Sequence, residues 1–164
     1  MKKLLFLFCL LSWSVLHAQK TINRPPFIAK ATETIEIAAI HLSDTATVVD
    51  VDAKFIPKNW IRIAPATCLV ADNGERYQVR QGVGIELGQE FWMPESGEAT
   101  FSLIFPPLPA SVKSFDFVEG EGERDFNLFG ISLIGKLPKL QLPKDLGKAG
   151  KATAVALPTP EIKE

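Results

Sequence analysis

Histidine and cysteine side chains are the first candidates for chemistry, because they act as nucleophiles, general bases and metal ligands near neutral pH. The chain has two of each. Cys9 and His17 fall in an N-terminal segment that we expect to be removed, which leaves Cys68 and His41. One histidine and one cysteine, without a G-x-S-x-G motif, provide neither a zinc site nor a catalytic triad. The sequence therefore predicts a protein that is not an enzyme and that has no metal site or cofactor.

Both remaining residues are expected to be structural. Cys68 lies in the apolar run 66–70, where a free cysteine usually behaves as a small buried hydrophobic residue. A reactive or intermolecular thiol is the alternative interpretation. His41 ends a predicted strand and has no second histidine with which to share a metal ion.

An acidic run at residues 119–125 holds four carboxylates in seven residues. Oxygen ligands at this density could bind calcium, although their spacing is not that of an EF-hand loop. We expect an acidic, glycine-rich hairpin loop instead. Its glutamates Glu119, Glu121 and Glu123 are candidates for an interaction surface.

The loop at residues 91–98 places Phe91, Trp92 and Met93 before a proline and a glycine. Three large apolar side chains can form an exposed binding patch. They can equally close the open end of a β-sandwich, which is the interpretation that we favour for an exported monomer. All three are nevertheless candidate interaction residues, since both roles remain open.

Two terminal segments differ from the rest of the chain. Residues 1–18 combine two lysines with an apolar run and a small residue before Gln19, the pattern of a secretory signal peptide. An uncleaved membrane anchor is the alternative, but the run is short for a membrane span. Residues 136–164 are rich in lysine, proline and alanine and indicate a linker or tail. We thus predict a domain at residues 19–135 and a periplasmic or secreted protein with no stable membrane span after cleavage.

The predicted domain is built from short runs of alternating apolar and polar residues, the pattern of half-buried strands. Turn signals separate the runs, and Asp72-Asn73-Gly74 is a strong hairpin signal. We expect an all-β fold, an antiparallel immunoglobulin-like β-sandwich of about seven or eight strands. The runs are residues 34–38, 49–55, 60–63, 66–70, 76–79, 100–105, 114–118 and 126–134.

Charge and composition exclude some classes of function. The chain of 164 residues is 46% hydrophobic and has a net charge of −1, which is ordinary for a globular protein. Residues 19–135 alone contain 10 basic and 16 acidic residues, a net charge of −6. An acidic domain offers no basic surface for nucleic acid.

Several longer motifs lie in residues 40–48, 60–63, 84–87, 91–98, 105–109 and 115–120. Together they resemble the N-terminal module of periplasmic thioredoxin-like (TlpA-type) disulfide reductases. That resemblance implies an immunoglobulin-like sandwich whose redox partner domain carries a Trp-Cys-x-x-Cys site, a motif that this chain does not contain. It also points to Asp44-Thr45-Ala46 as a possible O-glycosylation site at Thr45, with an ordinary turn as the alternative.

Two functional hypotheses follow. The first is a non-catalytic accessory or protein-contact domain, with a thioredoxin-like domain as one candidate partner and the Trp92 loop as the contact surface. The second is a stand-alone glycan- or peptide-binding module, in which Trp60 or Trp92 is an exposed stacking platform.

Overall fold

Residues 19–120, 122 and 125–137 are described by the computed structural model of the chain. The predicted signal peptide at residues 1–18 lies outside this part, as does the predicted tail beyond residue 137. Within the described residues no helix is long and apolar enough to span a membrane.

Twelve β-strands make up the secondary structure of the described residues, and all of their pairings are antiparallel. In chain order they are Lys20–Asn23 (β1), Ala29–Lys30 (β2), Ile35–Leu42 (β3), Thr47–Lys54 (β4), Trp60–Ile61 (β5), Cys68–Ala71 (β6), Arg76–Gln78 (β7), Gln81–Val83 (β8), Phe91–Trp92 (β9), Glu98–Phe105 (β10), Ser114–Val118 (β11) and Asn127–Ser132 (β12).

The strands form two five-stranded sheets and one two-stranded ribbon. The first sheet has the order β1-β3-β4-β10-β8, the second has the order β2-β12-β11-β6-β7, and β5 pairs with β9 in the ribbon. Eight of these strands reproduce the two-sheet strand order of immunoglobulin-like sandwiches, with β3-β4-β10-β8 facing β12-β11-β6-β7. The predicted all-β antiparallel sandwich is confirmed, and this strand order supports its immunoglobulin-like part.

One apolar core lies between the two sheets. Along β4, Val49, Val51 and Ala53 are buried, because alternate residues of a strand point to the same face. From the two sheets, Phe105 of β10 and Phe117 of β11 meet edge to face, with ring centroids 6.4 Å apart. Both phenylalanines are fully buried, so the sheets share one continuous core.

The structure has more strands than the seven or eight that the sequence predicts. All eight predicted runs overlap observed strands, and the hairpin signal is confirmed by Gly74, which joins β6 to β7 with φ +85°. The additional strands are β1, β2, β8 and β9, which have two to four residues each. Segments this short are too brief to show an alternating pattern, so only their pairing with other strands in the folded chain reveals them.

Candidate functional site

The ribbon of β5 and β9 brings the two described tryptophans together. Trp60 pairs directly with Trp92, and Ile61 pairs with Phe91. Directly opposed residues of a strand pair project to the same face, so both indoles lie on one side of the ribbon. Trp60 is 40% exposed and Trp92 is 60% exposed. We call this pair the tryptophan face.

The other side of the ribbon packs on the core. Ile61 is buried, and the ring of Phe91 lies 6.5 Å from that of Phe101 in β10. The next residue, Met93, is only 2% exposed. Its N–H donates to Asn59 O at 2.8 Å, and its carbonyl accepts from the N–H of Lys58 at 3.2 Å. These contacts fix the ribbon to the turn that precedes β5.

The loop that contains Phe91, Trp92 and Met93 therefore shows a feature expected of each of the two roles left open by the sequence. Met93 closes the end of the core, as a plug would, and Trp92 is exposed, as a binding residue would be. Placing Met93 on an interaction surface is wrong, because its side chain is buried. Phe91 is half-buried and contributes to a surface only along its edge.

An open groove of about 740 Å³ begins beside Trp60, at the end of the sandwich where β4 and β11 finish and β12 starts. We call it the aromatic groove. Aromatic walls with a few polar groups are the usual lining of a ligand site. Its aromatic residues are Phe55, Trp60 and Phe126, and its charged or amide residues are Glu33, Asn59, Arg62, Glu119 and Asp125.

Glu119 lies at the base of this groove and connects two of the segments that line it. It is 8% exposed, and its two carboxylate oxygens accept hydrogen bonds from the N–H groups of Ala64 and Phe126, each at 2.8 Å. Burial raises the pKa of Glu119, and nearby Asp125 raises it further, while the two N–H donors and Arg62 oppose the rise. Glu119 lines the groove, but its carboxylate also joins two loops, and its candidate role in an interaction surface stays a prediction.

The remaining acidic residues give no evidence of a calcium site. Glu121 and Glu123 lie outside the described residues. Asp125 accepts a hydrogen bond from Gly122 N–H at 2.7 Å. Among the residues that the structure describes, no group of three or more His, Cys, Asp or Glu side chains is arranged to hold a metal ion.

A second polar cluster crosses the outer face of the first sheet. Asp50 Oδ2 accepts from His41 Nε2 at 2.8 Å, and Asp50 Oδ1 accepts from the Ser102 hydroxyl at 2.7 Å. The other imidazole nitrogen, Nδ1, lies 3.0 Å from Thr21 Oγ1. Burial opposes ionisation of Asp50, but the hydrogen bonds from Ser102 and His41 and the His41 charge outweigh it and lower the pKa of Asp50.

This cluster has the hydroxyl, imidazole and carboxylate order of a nucleophilic triad. Its four residues come from β1, β3, β4 and β10, which are adjacent in the sheet. The set lies on a sheet face and contributes no lining residue to the aromatic groove. We interpret it as a structural hydrogen-bond network that holds the short strand β1 against its neighbours, and we call this network the clasp. The sequence alone did not reveal it, because the partners of His41 are 9 to 20 residues away.

Two further residues occupy the positions that their sequence contexts suggested. Cys68 is 3% exposed, so its predicted burial is confirmed, and its sulfur lies 3.1 Å from Arg76 Nη2. Thr45 is exposed in the turn between β3 and β4, where its hydroxyl lies 3.3 Å from that of Ser43. Glycosylation of Thr45 stays a prediction.

Comparison of the chain with protein-family models, with curated proteins and with solved structures gives no match. The relation to the N-terminal module of TlpA-like proteins therefore rests on the sequence motifs alone and stays a prediction.

Proposed function

We propose that this protein is a non-catalytic binding module that contacts a partner protein through the tryptophan face. One observation carries the proposal: Trp60 and Trp92 lie side by side on a ribbon whose opposite side is anchored in the core. Tryptophan is enriched among residues that dominate binding energy, since one side chain buries a large apolar area. Rigid support of such a pair reduces the entropy lost on binding.

The charged rim of the ribbon fits the same role. Lys58, just before β5, and Glu95, just after β9, lie at the same end of the ribbon and form an exposed ion pair at 2.8 Å. Exposed ion pairs contribute little to stability but help to select and orient partners. An apolar centre with a polar rim is the usual anatomy of a protein interface.

The non-catalytic part of the proposal is supported by the burial of Cys68 and by the position of His41. The Cys68 thiol is buried, and His41 with its partners Asp50 and Thr21 lines neither the aromatic groove nor the groove that continues from it along the first sheet. The resemblance to TlpA-like modules adds a thioredoxin-like domain as a candidate partner.

The same resemblance also fits export to the periplasm or secretion, which we propose from the signal-peptide pattern of residues 1–18. Intact mass of the exported protein, expected to begin at Gln19, tests that point.

The binding role is tested with arrays of peptides, folded domains and glycans probed by the labelled protein. We expect ligands that bind the wild type to lose binding to Trp60→Ala and Trp92→Ala. Val83→Ala is the matched control, because Val83 is also exposed but lies in β8, at the edge of the first sheet. Binding that is equal in the wild type and in both tryptophan variants would contradict the proposal.

A second candidate is glycan binding in the aromatic groove. It is favoured by the position of Trp60, which lines the groove together with Asn59, Arg62 and Asp125. An aromatic plane beside amide and charged groups suits the apolar face and the hydroxyls of a sugar. Retention of glycans but not of peptides or protein domains on the arrays would favour this candidate.

A further inference from the structure

We propose that the aromatic groove accepts a basic, extended segment of the partner protein, with one cationic side chain stacked on Trp60 and facing the carboxylates of Glu33 and Asp125. This inference rests on the proposed function and adds the chemical class of the ligand. Three features of the described residues support it: an aromatic platform, an excess of carboxylates and a continuation of the groove along the first sheet.

The aromatic platform is Trp60. A lysine or arginine side chain near the face of an indole is attracted by the negative charge of the ring face. Trp60 is partly exposed, and Phe55 and Phe126 also line the groove and exclude water from part of it. Partial desolvation strengthens a cation–π contact.

The charges of the groove favour a cation over an anion. Its lining includes three carboxylates, those of Glu33, Glu119 and Asp125, and one cation, Arg62. Glu119 is held at the base by two backbone N–H groups, which leaves Glu33 and Asp125 as the carboxylates closest to solvent. A basic side chain therefore gains attraction here, and an acidic one meets repulsion.

The groove continues along the outer face of the first sheet. A second groove of about 660 Å³, which we call the sheet groove, shares Glu33 and Thr34 with the aromatic groove. Two connected grooves suit an extended chain better than a compact ligand. The sheet groove adds three carboxylates and two cations, namely Glu36, Asp52, Glu98, Arg24 and Lys54.

Local ion pairs reduce this negative charge but do not remove it. Lys30 bridges Glu33 and Glu36 at 2.6 and 3.3 Å. Arg24 pairs with Glu36 and Asp52 at 3.3 and 2.7 Å, and Lys54 pairs with Glu98 at 3.1 Å. Counting Lys30, four cations face six carboxylates along the two grooves. The net charge of −6 on residues 19–135 has the same sign, so the whole domain would steer a basic partner toward it.

The experiment measures binding of three synthetic peptides of equal length to the full chain: one lysine-rich, one neutral and one glutamate-rich. The readout is the fluorescence anisotropy of a dye attached to each peptide, because this signal can be measured equally in wild type and in Trp60→Ala. We expect the lysine-rich peptide to bind about three- to tenfold more tightly than the neutral one, with affinity that falls as salt increases. Asp125→Asn and Glu33→Gln should each weaken its binding about two- to fivefold.

Asp44→Asn is the matched control, since Asp44 is exposed in the β3–β4 turn at the opposite end of these strands. It removes the same charge from the domain and should leave the affinity unchanged. If Asp44→Asn weakens peptide binding as much as Asp125→Asn and Glu33→Gln do, the peptide is attracted by the overall charge of the domain and the proposed site is wrong. Trp60→Ala should reduce binding of the lysine-rich peptide most.

Failure of this inference is distinguishable from failure of the proposed function. If the neutral peptide or a saccharide binds as tightly as the lysine-rich peptide, and Trp60→Ala abolishes that binding, the basic ligand is wrong but the tryptophan face is supported. If the lysine-rich peptide binds equally well to Trp60→Ala, Asp125→Asn and the wild type, the proposed groove is wrong. If no peptide binds and the arrays show no ligand that depends on either tryptophan, both proposals fail.

Discussion

Trp92 and Met93 are adjacent in the chain but differ in exposure, 60% against 2%. This difference follows from strand geometry, because successive residues point to opposite sides. Trp92 is free to contact a partner, and Met93 fills the end of the core beside the turn that contains Asn59. The proposed contact surface and the buried end of the core thus use neighbouring residues.

This arrangement predicts opposite results for two neighbouring substitutions. Met93→Ala leaves a cavity in the core and should lower the free energy of unfolding by about 2–5 kcal/mol. Trp92→Ala removes a mainly exposed side chain and should change it by about 1 kcal/mol or less. Urea denaturation measures both values. A larger loss of unfolding free energy for Trp92→Ala than for Met93→Ala would contradict the assignment of Met93 to the core and of Trp92 to the surface.

The clasp around Asp50 predicts a dependence of stability on pH. The pKa of Asp50 is lowered from its ordinary value of 3.8, so the folded state binds the proton less tightly than the unfolded state. The stabilisation is therefore present above the ordinary pKa and is lost as pH falls through the lowered one. Wild type should be more stable than Asp50→Asn at neutral pH, and the difference should shrink in acid.

Denaturation of both proteins at neutral and acidic pH tests this prediction. Asp44→Asn, in an exposed turn, serves as the control and should show little difference from wild type at either pH. The difference in unfolding free energy between wild type and Asp50→Asn should not stay constant or grow in acid. Either result would show that the Asp50 carboxylate is not the stabilised group.

At the scale of elements, the turn between β9 and β10 determines where the ribbon sits. Gly97 has φ +69°, and its carbonyl accepts from the N–H of Phe55 at 2.9 Å. A Cβ atom on Gly97 would lie 2.6 Å from the carbonyl oxygen of Phe55, so only glycine permits this approach of the two turns. By contrast, Gly74 has φ +85°, but a Cβ atom added there would meet nothing within 4 Å.

These two glycines form a matched pair for substitution. Gly74→Ala should cost about 1–2 kcal/mol of stability, the penalty for a left-handed backbone alone. Gly97→Ala should cost more, because it adds the clash with the β4–β5 turn, and it should also displace the ribbon. Chemical denaturation measures the cost, and the tryptophan emission spectrum reports the displacement. Equal costs for the two variants would contradict the close approach.

The length of each strand and the local sequence signals at its turns explain which features could be predicted from the sequence. Long strands such as β4 and β10 show alternation over eight residues, and the β6–β7 turn has a strong local signal at Gly74. The pairing of Trp60 with Trp92 has no local signal, since the two residues are 32 positions apart and each lies in a two-residue strand. The aromatic groove and the buried role of Glu119 likewise depend on contacts between distant loops.

At the scale of the whole molecule, both sheets pack on one core, so we expect the described domain to unfold as a single cooperative unit. Cys68 provides a probe, because its thiol is 3% exposed and lies in β6, within the second sheet. A thiol reagent should modify it only as fast as the sheets open. Peptide mass mapping identifies the modified cysteine, and rapid modification of Cys68 in the native protein would instead indicate the reactive thiol.

The sandwich has one shared apolar core, and the proposed binding surface lies at one end of it. The β5–β9 ribbon, the aromatic groove and the loop that contains Glu119 lie together at that end. The clasp around Asp50 instead joins strands across an outer face. The residues of the clasp line neither groove, although the sheet groove runs along the same outer face of the first sheet.

The central claim, that Trp60 and Trp92 form one binding surface, is tested most directly by NMR of their indole N–H groups during titration with a bound ligand from the arrays. Because the two residues are paired across the ribbon, we predict that both indole signals shift together and reach saturation at the same ligand concentration. A ligand that binds, shifts other resonances of the domain and leaves both indole signals unchanged would contradict the claim.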